Sequence, residues 1–325
     1  MRVVRLADAP DLTLAWDRFV TEHKHGTFFH ESAWLAYQRA YRAENIDASF
    51  AILDTRGVVI AVAPLIVSKG DGGSPEFSFS GSPTPRVLFT LDTGRVSRCW
   101  PFAEDERRRV AKKYGVRRGV FGGWAMDDDG PAESPVTQRV INLLDSEAML
   151  WRDVRKSYKA LIHRGADRRA LASYVGGARG GQVLTDSLAG FAAYRRLHGR
   201  CYGDAVRPEA TYEMQQRWLV ASHAVLVTAA DGREDPIGRE AIGAALWYVW
   251  KGSAYYASGT YAEDNIAHAV VWRSLLALKA AGVTSVVMAW RGLERTEKER
   301  NVTRFKVGFG GVDVPVAIAE VQYEG

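Results

Sequence analysis

Hydrophobic positions along the chain switch repeatedly between a helical period and a strand period. Trp34, Leu35, Tyr37, Ala40 and Tyr41 recur at helical spacing behind Ser32, a residue suited to an N-cap. Two apolar runs, Ser49–Leu53 and Val58–Val67, flank the turn signal Asp54-Thr55-Arg56-Gly57, which predicts a hairpin. A Gly/Ser/Pro-rich stretch from Gly70 to Pro75 leads through Phe77–Ser80 to the irregular Gly81–Arg86. Ala103–Tyr114 then reads as a helix stopped by Gly115, with a strand over Val116–Phe121. About half a chain later the same order returns, with a helix over Ile266–Ala281, Gly282 and a strand over Val283–Ala289. Joints of this kind are common, so the repetition alone leaves an internal duplication open.

Between the two copies, the acidic Asp127-Asp128-Asp129-Gly130-Pro131 and Glu133-Ser134-Pro135 read as a loop. In the second half, Phe191–Cys201 and Thr211–Ala221 are expected helices and Ala224–Ala229 a strand. Ala241–Trp250 and Ser253–Gly259 form a second hairpin about Lys251-Gly252. Such alternation predicts an α/β or α+β chain and argues against a bundle or a sandwich.

The length of 325 residues, 47% of them hydrophobic, is enough for about two domains with buried cores. Lys and Arg number 43 against 38 Asp and Glu, a net +5 that attracts anions mildly and does not call for DNA as a partner. The two cysteines, Cys99 and Cys201, exclude a disulfide framework and a four-thiolate zinc site, and they suit a reducing compartment. The longest apolar stretch, Val58–Val67, contains Pro64 and is too short to span a bilayer about 30 Å thick. The opening MRVVRLADAPDL lacks a signal-peptide core, so a cytoplasmic protein without membrane insertion is expected.

Candidate chemistry is concentrated in two places. Trp151 to Ala170 carries Arg152, Arg155, Lys156, Lys159, Arg164, Arg168 and Arg169 against Asp153 and Asp167, which accounts for the whole net charge of the chain. Trp151, Val154, Tyr158, Leu161 and Ile162 fall on one helical stripe, so the segment is expected as a single docked helix with a wet basic face. That face suits phosphates, and it also reads as an ordinary solvated surface. Near the end, a strand is expected across Arg304–Phe309, with Lys306 aimed away from Phe305, Val307 and Phe309. His23, His25 and His30 lack metal-ligand spacing, and no metal or other cofactor is expected. Cys201 near His198 reads better as an inert thiol than as a nucleophile, and no nucleophile elbow, Walker A or dinucleotide fingerprint occurs.

Four stretches in order resemble the FemAB family of peptidyl transferases and its BioF2-like acetyltransferase neighbours. They are Phe28-Phe29-His30-Glu31-Ser32-Ala33-Trp34, the basic Lys156 to Arg164, the Arg207-Pro208 step, and the closing run from Tyr256 to Phe309 with its Phe305-Lys306. The resemblance implies tandem GNAT-like domains, each a mixed sheet flanked by helices. Residues 1–150 would form the first and 151–316 the second, with a C-terminal strand within 317–325 returning to the first. It implies transfer of an aminoacyl group from aminoacyl-tRNA to an amine of a peptide, a peptidoglycan precursor or a natural product. Two other readings stay open: an acyl-coenzyme A-dependent N-acyltransferase, and a non-catalytic RNA- or nucleotide-binding protein.

By the same resemblance Lys306 is the expected catalytic residue. Arg152, Arg155, Lys156, Lys159, Arg164 and Arg304 are the expected donor-phosphate contacts, and Trp34, Arg207, Tyr255, Tyr256 and Phe305 the expected substrate contacts. The sequence also departs from the family. Leu35 and Ala36 follow Trp34 where members that hold a nucleotide-linked murein precursor carry a lysine, and Met288-Ala289-Trp290-Arg291 replaces an Asp-Leu-Gly-Gly. There is no room for a long helical arm. These departures imply an acceptor other than the standard murein precursor, such as a small metabolite or a peptide.

Overall fold

The computed structural model describes the chain apart from residues 71, 92, 123–135, 168, 176–180, 204–206, 233–238, 264–265 and 325, and apart from the side chains of 93–95, 169–170 and 181–184. The expected acidic loop and the side chains of Arg168 and Arg169 lie outside the described residues. Two compact units are present: Met1–Ser134 with Pro315–Gly325, and Pro135–Val314. The division falls upstream of residue 150.

The first unit runs β1 (Arg2–Arg5), α1 (Leu12–Glu22), α2 (Ser32–Tyr41), β2 (Ile46–Asp47), β3 (Phe50–Leu53), β4 (Val59–Ala63), β5 (Ile66–Lys69), β6 (Pro75–Phe77), β7 (Thr84–Pro85), β8 (Leu88–Phe89), α3 (Thr93–Tyr114) and β9 (Arg118–Gly122). The β3–β4 hairpin closes on Asp54, whose carboxylate accepts from the Arg56 and Val58 amides at 2.8 and 3.0 Å, while Gly57 takes φ +83°. The run Val58–Val67 is not one strand. Pro64 has no N–H to give to a ladder, and the chain there leaves the β1-β3-β4-β8 sheet for the sheet holding β5. Ser49 secures the break, its hydroxyl accepting from the Leu65 amide at 2.9 Å.

Helix α3 starts well before Ala103, passes through Pro101 and ends at Gly115, which takes φ +67°. The second sheet of this unit has the order β17-β9-β6-β5-β2, where β17 (Ile318–Gln322) lies antiparallel to β9. Next to β17, Tyr323 enters the core edge-on to Phe77 at 5.2 Å, among Phe50, Ile52, Leu65 and Phe121.

The second unit continues with β10 (Thr137–Asn142), α4 (Glu147–Asp153), α5 (Lys156–Asp167), β11 (Arg169–Val175), α6 (Gly181–Tyr202), α7 (Glu209–Val220), β12 (Ala224–Asp231), β13 (Ala241–Trp250), β14 (Ser253–Tyr261), α8 (Ile266–Ala280), β15 (Ser285–Arg291), α9 (Glu297–Val307) and β16 (Val312–Pro315). Among the described residues its sheet has the order β11-β12-β13-β14-β15-β10-β16. Apolar helix α8 makes the crossover that the parallel pair β14 and β15 requires, burying Val270, Val271, Leu275 and Leu278 against the sheet.

Two expectations fail here. The basic segment is not one helix, because it breaks at Val154 and Arg155. Val154 is extended and buried, and the Arg155 amide donates to the Gly308 carbonyl at 2.8 Å. Arg304 to Val307 is not a strand but the last turns of α9. A reciprocal capping box between Thr296 and Glu299 starts that helix, and Arg304 and Lys306 sit in its last turn, where cations suit the dipole.

Candidate functional site

The parallel strands β14 and β15 pair only from Ser253 to Tyr255 and from Ser285 to Val287, although both continue beyond. A bulge at Ala257, where Leu246 faces Ser258 but Trp247 faces Tyr256, bends β14 at this point. A cavity of about 950 Å³ opens beside the separated part of β14, walled by Tyr256 to Gly259 of the strand, by α6 and by α9.

Lys306 lines this cavity from the last turn of α9. Its Nζ lies 4.2 Å from the centroid of the Tyr256 ring and makes no hydrogen bond or ion pair among the described residues. Burial alone pushes its pKa from the ordinary 10.5 down to about 8. The ammonium thus remains mostly charged at neutral pH, held over an aromatic face with its N–H donors uncommitted. Tyr256 is fixed in turn by a 2.9 Å contact between its hydroxyl and that of Tyr261, and by edge-on packing with Trp247. Burial raises the pKa of both tyrosines, so both stay neutral donors.

His198 and Tyr202 face the same cavity from α6. His198 Nδ1 is 2.9 Å from the Tyr212 hydroxyl, and burial, with the nearby charge of Arg207, pushes its pKa down to about 4. His268, near the start of α8, packs against Tyr158 and Phe305, and burial lowers its pKa as well. Sequence reading missed these two roles and that of Tyr261. The available signal was the Tyr194-His198-Tyr202 ladder at i,i+4 spacing, whose rings meet at 5.9 and 4.9 Å.

Of the residues singled out from the sequence, Lys306, Tyr256 and Phe305 meet at this cavity. Tyr255 points to the opposite face of β14 and is buried. Arg207 lines a neighbouring cavity of the same unit, about 1020 Å³, with Arg195, Arg196 and Arg200. Its guanidinium and that of Arg195 flank the Tyr212 ring at 5.8 and 5.4 Å. The pair His198–Tyr212 therefore connects the walls of the two cavities.

Arg155, just before α5, and Lys156 and Arg164 on it are exposed. Arg152 is paired with Asp153 at 3.0 Å, and Lys159 folds back on the Arg152 carbonyl at 3.1 Å. Arg304 donates to the Asn301 side chain at 3.0 Å. Trp34 belongs to the first unit, stacked on Tyr37 at 4.9 Å and packed on Phe28 and Phe29. Cys99 and Cys201 are both free thiols, the first buried and the second exposed. The described residues hold no cluster of three metal-ligating side chains and no helix long and apolar enough to cross a membrane.

No family model matches the chain, and no curated protein is similar to it at a significant level. Solved structures are similar over nearly its full length. FemX is 11% identical, with 99% of this chain and 97% of FemX covered at a TM-score of 0.60. A tandem GNAT protein from the clavulanic acid biosynthesis pathway is 12% identical, with 100% and 99% covered at 0.52. The C-terminal domain of a putative lysylphosphatidylglycerol synthetase from Agrobacterium fabrum is 13% identical, with 96% and 91% covered at 0.54. The chain has a tandem GNAT fold.

Proposed function

We propose that the protein is an acyltransferase that moves an aminoacyl group from aminoacyl-tRNA to an amine, with the reacting carbonyl held under Lys306. The observation that carries this reading is an ammonium without an anionic partner, facing a cavity beside the part of β14 that no longer pairs with β15. An ester is already activated, so aminolysis needs a neutral amine near the carbonyl and a positive group where negative charge grows. The amine nitrogen bonds to the carbonyl carbon and negative charge gathers on the oxygen beside Lys306. The bond to the ribose oxygen then breaks, and the proton lost by the nitrogen passes through solvent to that departing oxygen. The exposed Arg155, Lys156 and Arg164 would meet donor phosphates, and Arg207 would orient the acceptor. Arg152, Lys159 and Arg304 are already engaged within the protein and are weaker candidates.

Acyl-coenzyme A is the second donor to weigh. A helix N-terminus holds a pyrophosphate through free amides and a positive dipole end. In sequence, the acidic Glu263 and Asp264 precede α8, a composition that disfavours a pyrophosphate at its start. The deciding experiment offers labelled aminoacyl-tRNA or acyl-coenzyme A together with candidate amines, with and without RNase. Product lost on RNase treatment supports the tRNA donor. Product that needs the thioester and ignores RNase selects coenzyme A, and RNA binding with neither product leaves a non-catalytic protein.

A further inference from the structure

Helices α4, α5 and α8 bring together an aromatic cluster that the proposed transfer does not use. Trp151 of α4 lies between His163 of α5 and Trp272 of α8, with ring centroids 5.2 and 5.0 Å away and interplanar angles of 70° and 60°. Parallel stacking would consume the flat faces of these rings, whereas tilted and edge-on contacts leave faces unspent. Both tryptophans pack against the core of the second unit yet stay half-buried, and His163 is exposed. The indole N–H groups make no hydrogen bond among the described residues and stay open to solvent. Capping the core would need only apolar bulk, so the open faces and N–H donors are left for a partner.

The surroundings of the cluster are cationic. Lys156, Lys159 and His163 follow one another at i, i+3 and i+7 along one face of α5, with Arg164 beside them. Lys159 Nζ lies 5.6 Å from the centroid of the Trp151 ring. Lys156 and Arg164 are exposed and form no ion pair among the described residues. Of the two acids in this segment, Asp153 is already paired with Arg152 at 3.0 Å, and Asp167 lies at the far end of α5. Aromatic faces bordered by cations suit a single-stranded nucleic acid, whose unpaired bases stack while its phosphates meet the charges. A duplex keeps its base faces to itself. A bilayer surface calls for protruding aliphatic side chains, and Met149 is the one large aliphatic residue exposed on these three helices. Trp272 sits one turn of α8 beyond His268, which lines the Lys306 cavity, so the cluster begins one helical turn from that wall.

We infer that Trp151, His163 and Trp272 stack unpaired nucleotides of a single-stranded RNA segment, whose phosphates run along Lys156, Lys159 and Arg164. The inference rests on the proposed donor for which RNA is bound: an aminoacyl-tRNA carries its ester on an unpaired end, and that end must reach the Lys306 cavity. Stacking itself requires no transfer and is measured without it.

Fluorescence anisotropy of the full chain with a labelled single-stranded RNA decamer tests this, alongside a duplex of the same length and vesicles of phosphatidylglycerol. The single strand is expected to bind about tenfold more tightly than the duplex. Trp151→Leu and Trp272→Leu keep an apolar side chain on the core, and each should weaken the single strand about tenfold. The slope of affinity against salt concentration should stay that of the parent, because no charge is lost. Trp151→Phe keeps an aromatic face and should keep most of the affinity. His163→Ala changes an exposed side chain and should weaken binding about threefold. Equal affinity for the duplex, saturable binding to the vesicles in place of RNA, or parent-like affinity in the folded leucine variants would overturn the assignment. Where those variants do not fold, parent-like affinity in His163→Ala overturns it. RNA binding that depends on the tryptophans, together with transfer from acyl-coenzyme A alone, upholds the stacking site and rejects the proposed donor. Transfer from tRNA with a parent-like KM in all these variants rejects the stacking site alone.

Discussion

The ammonium of Lys306 sits 4.2 Å above the ring of Tyr256, tying the last turn of α9 to the bulged strand β14. The contact favours the charged form in a site where burial works against it, burial alone pushing the lysine pKa down to about 8. If that charge stabilises an oxyanion, Lys306→Met should lower the transfer rate by on the order of 10²–10³ at pH 7 in a single-turnover assay. Full turnover in a folded Lys306→Met protein removes the residue from the mechanism.

The same shift has a signature in stability. The folded protein gives up the Lys306 proton near pH 8, whereas the unfolded chain holds it to the ordinary 10.5. Between those values the unfolded state binds more protons, so the contribution of this group to stability rises with pH. Activity that needs the charged form should fall as pH rises through about 8. Lys306→Met should lose the pH-dependent gain and melt higher than the parent at pH 7, as followed by calorimetry. A flat pH–rate profile across that range contradicts the assignment.

Tyr256 offers a graded test. Tyr256→Phe keeps the aromatic face and loses only the 2.9 Å contact with Tyr261, so the midpoint of the pH profile should stay near 8. Tyr256→Leu removes the ring and about 1 kcal/mol of attraction for the cation, moving the midpoint down by somewhat less than one pH unit.

The exposed cations of α5 should act through long-range attraction. Lys156→Glu combined with Arg164→Glu should weaken tRNA binding and flatten its dependence on salt concentration, leaving single-turnover chemistry at saturating donor unchanged. An unaltered salt slope in a filter-binding titration rejects α5 as the phosphate-binding face.

Gly308 governs how closely α5 approaches the end of α9. A Cβ there would come 2.2 Å from the Tyr158 ring, and the Gly308 carbonyl accepts the Arg155 amide that breaks the basic segment. Gly308→Ala should cost about 2 kcal/mol in denaturant unfolding, because the displaced ring is itself packed on His268, Phe305 and Phe309. In the first unit, Tyr323→Ala should cost about 3 kcal/mol by emptying the space beside Phe77.

Much of the local structure was legible in the sequence. The joints at Gly115 and Gly282 work because both glycines take positive φ, +67° and +81°, where a side chain would be strained. The Lys251-Gly252 turn joins β13 to β14 as its composition suggests, with both residues at positive φ. The helical state of Lys306 was also written, in Thr296 and Glu299 at capping-box spacing. The alternation from Arg304 to Phe309 reads with equal ease as a strand when the cap is overlooked.

Sequence by itself determined the alternation of helices and strands, the glycine-marked ends of elements, the concentration of positive charge in one segment and the number of cores the chain can fill. These depend on local sterics, period and composition. Tertiary structure alone decided that the basic segment breaks at Val154, that the run through Pro64 divides between two sheets, and that Tyr256 rather than Tyr255 meets Lys306. Each of these depends on contacts between residues distant in the chain, where a buried side chain, an amide needing an acceptor or a bulge in one strand outweighs local preference.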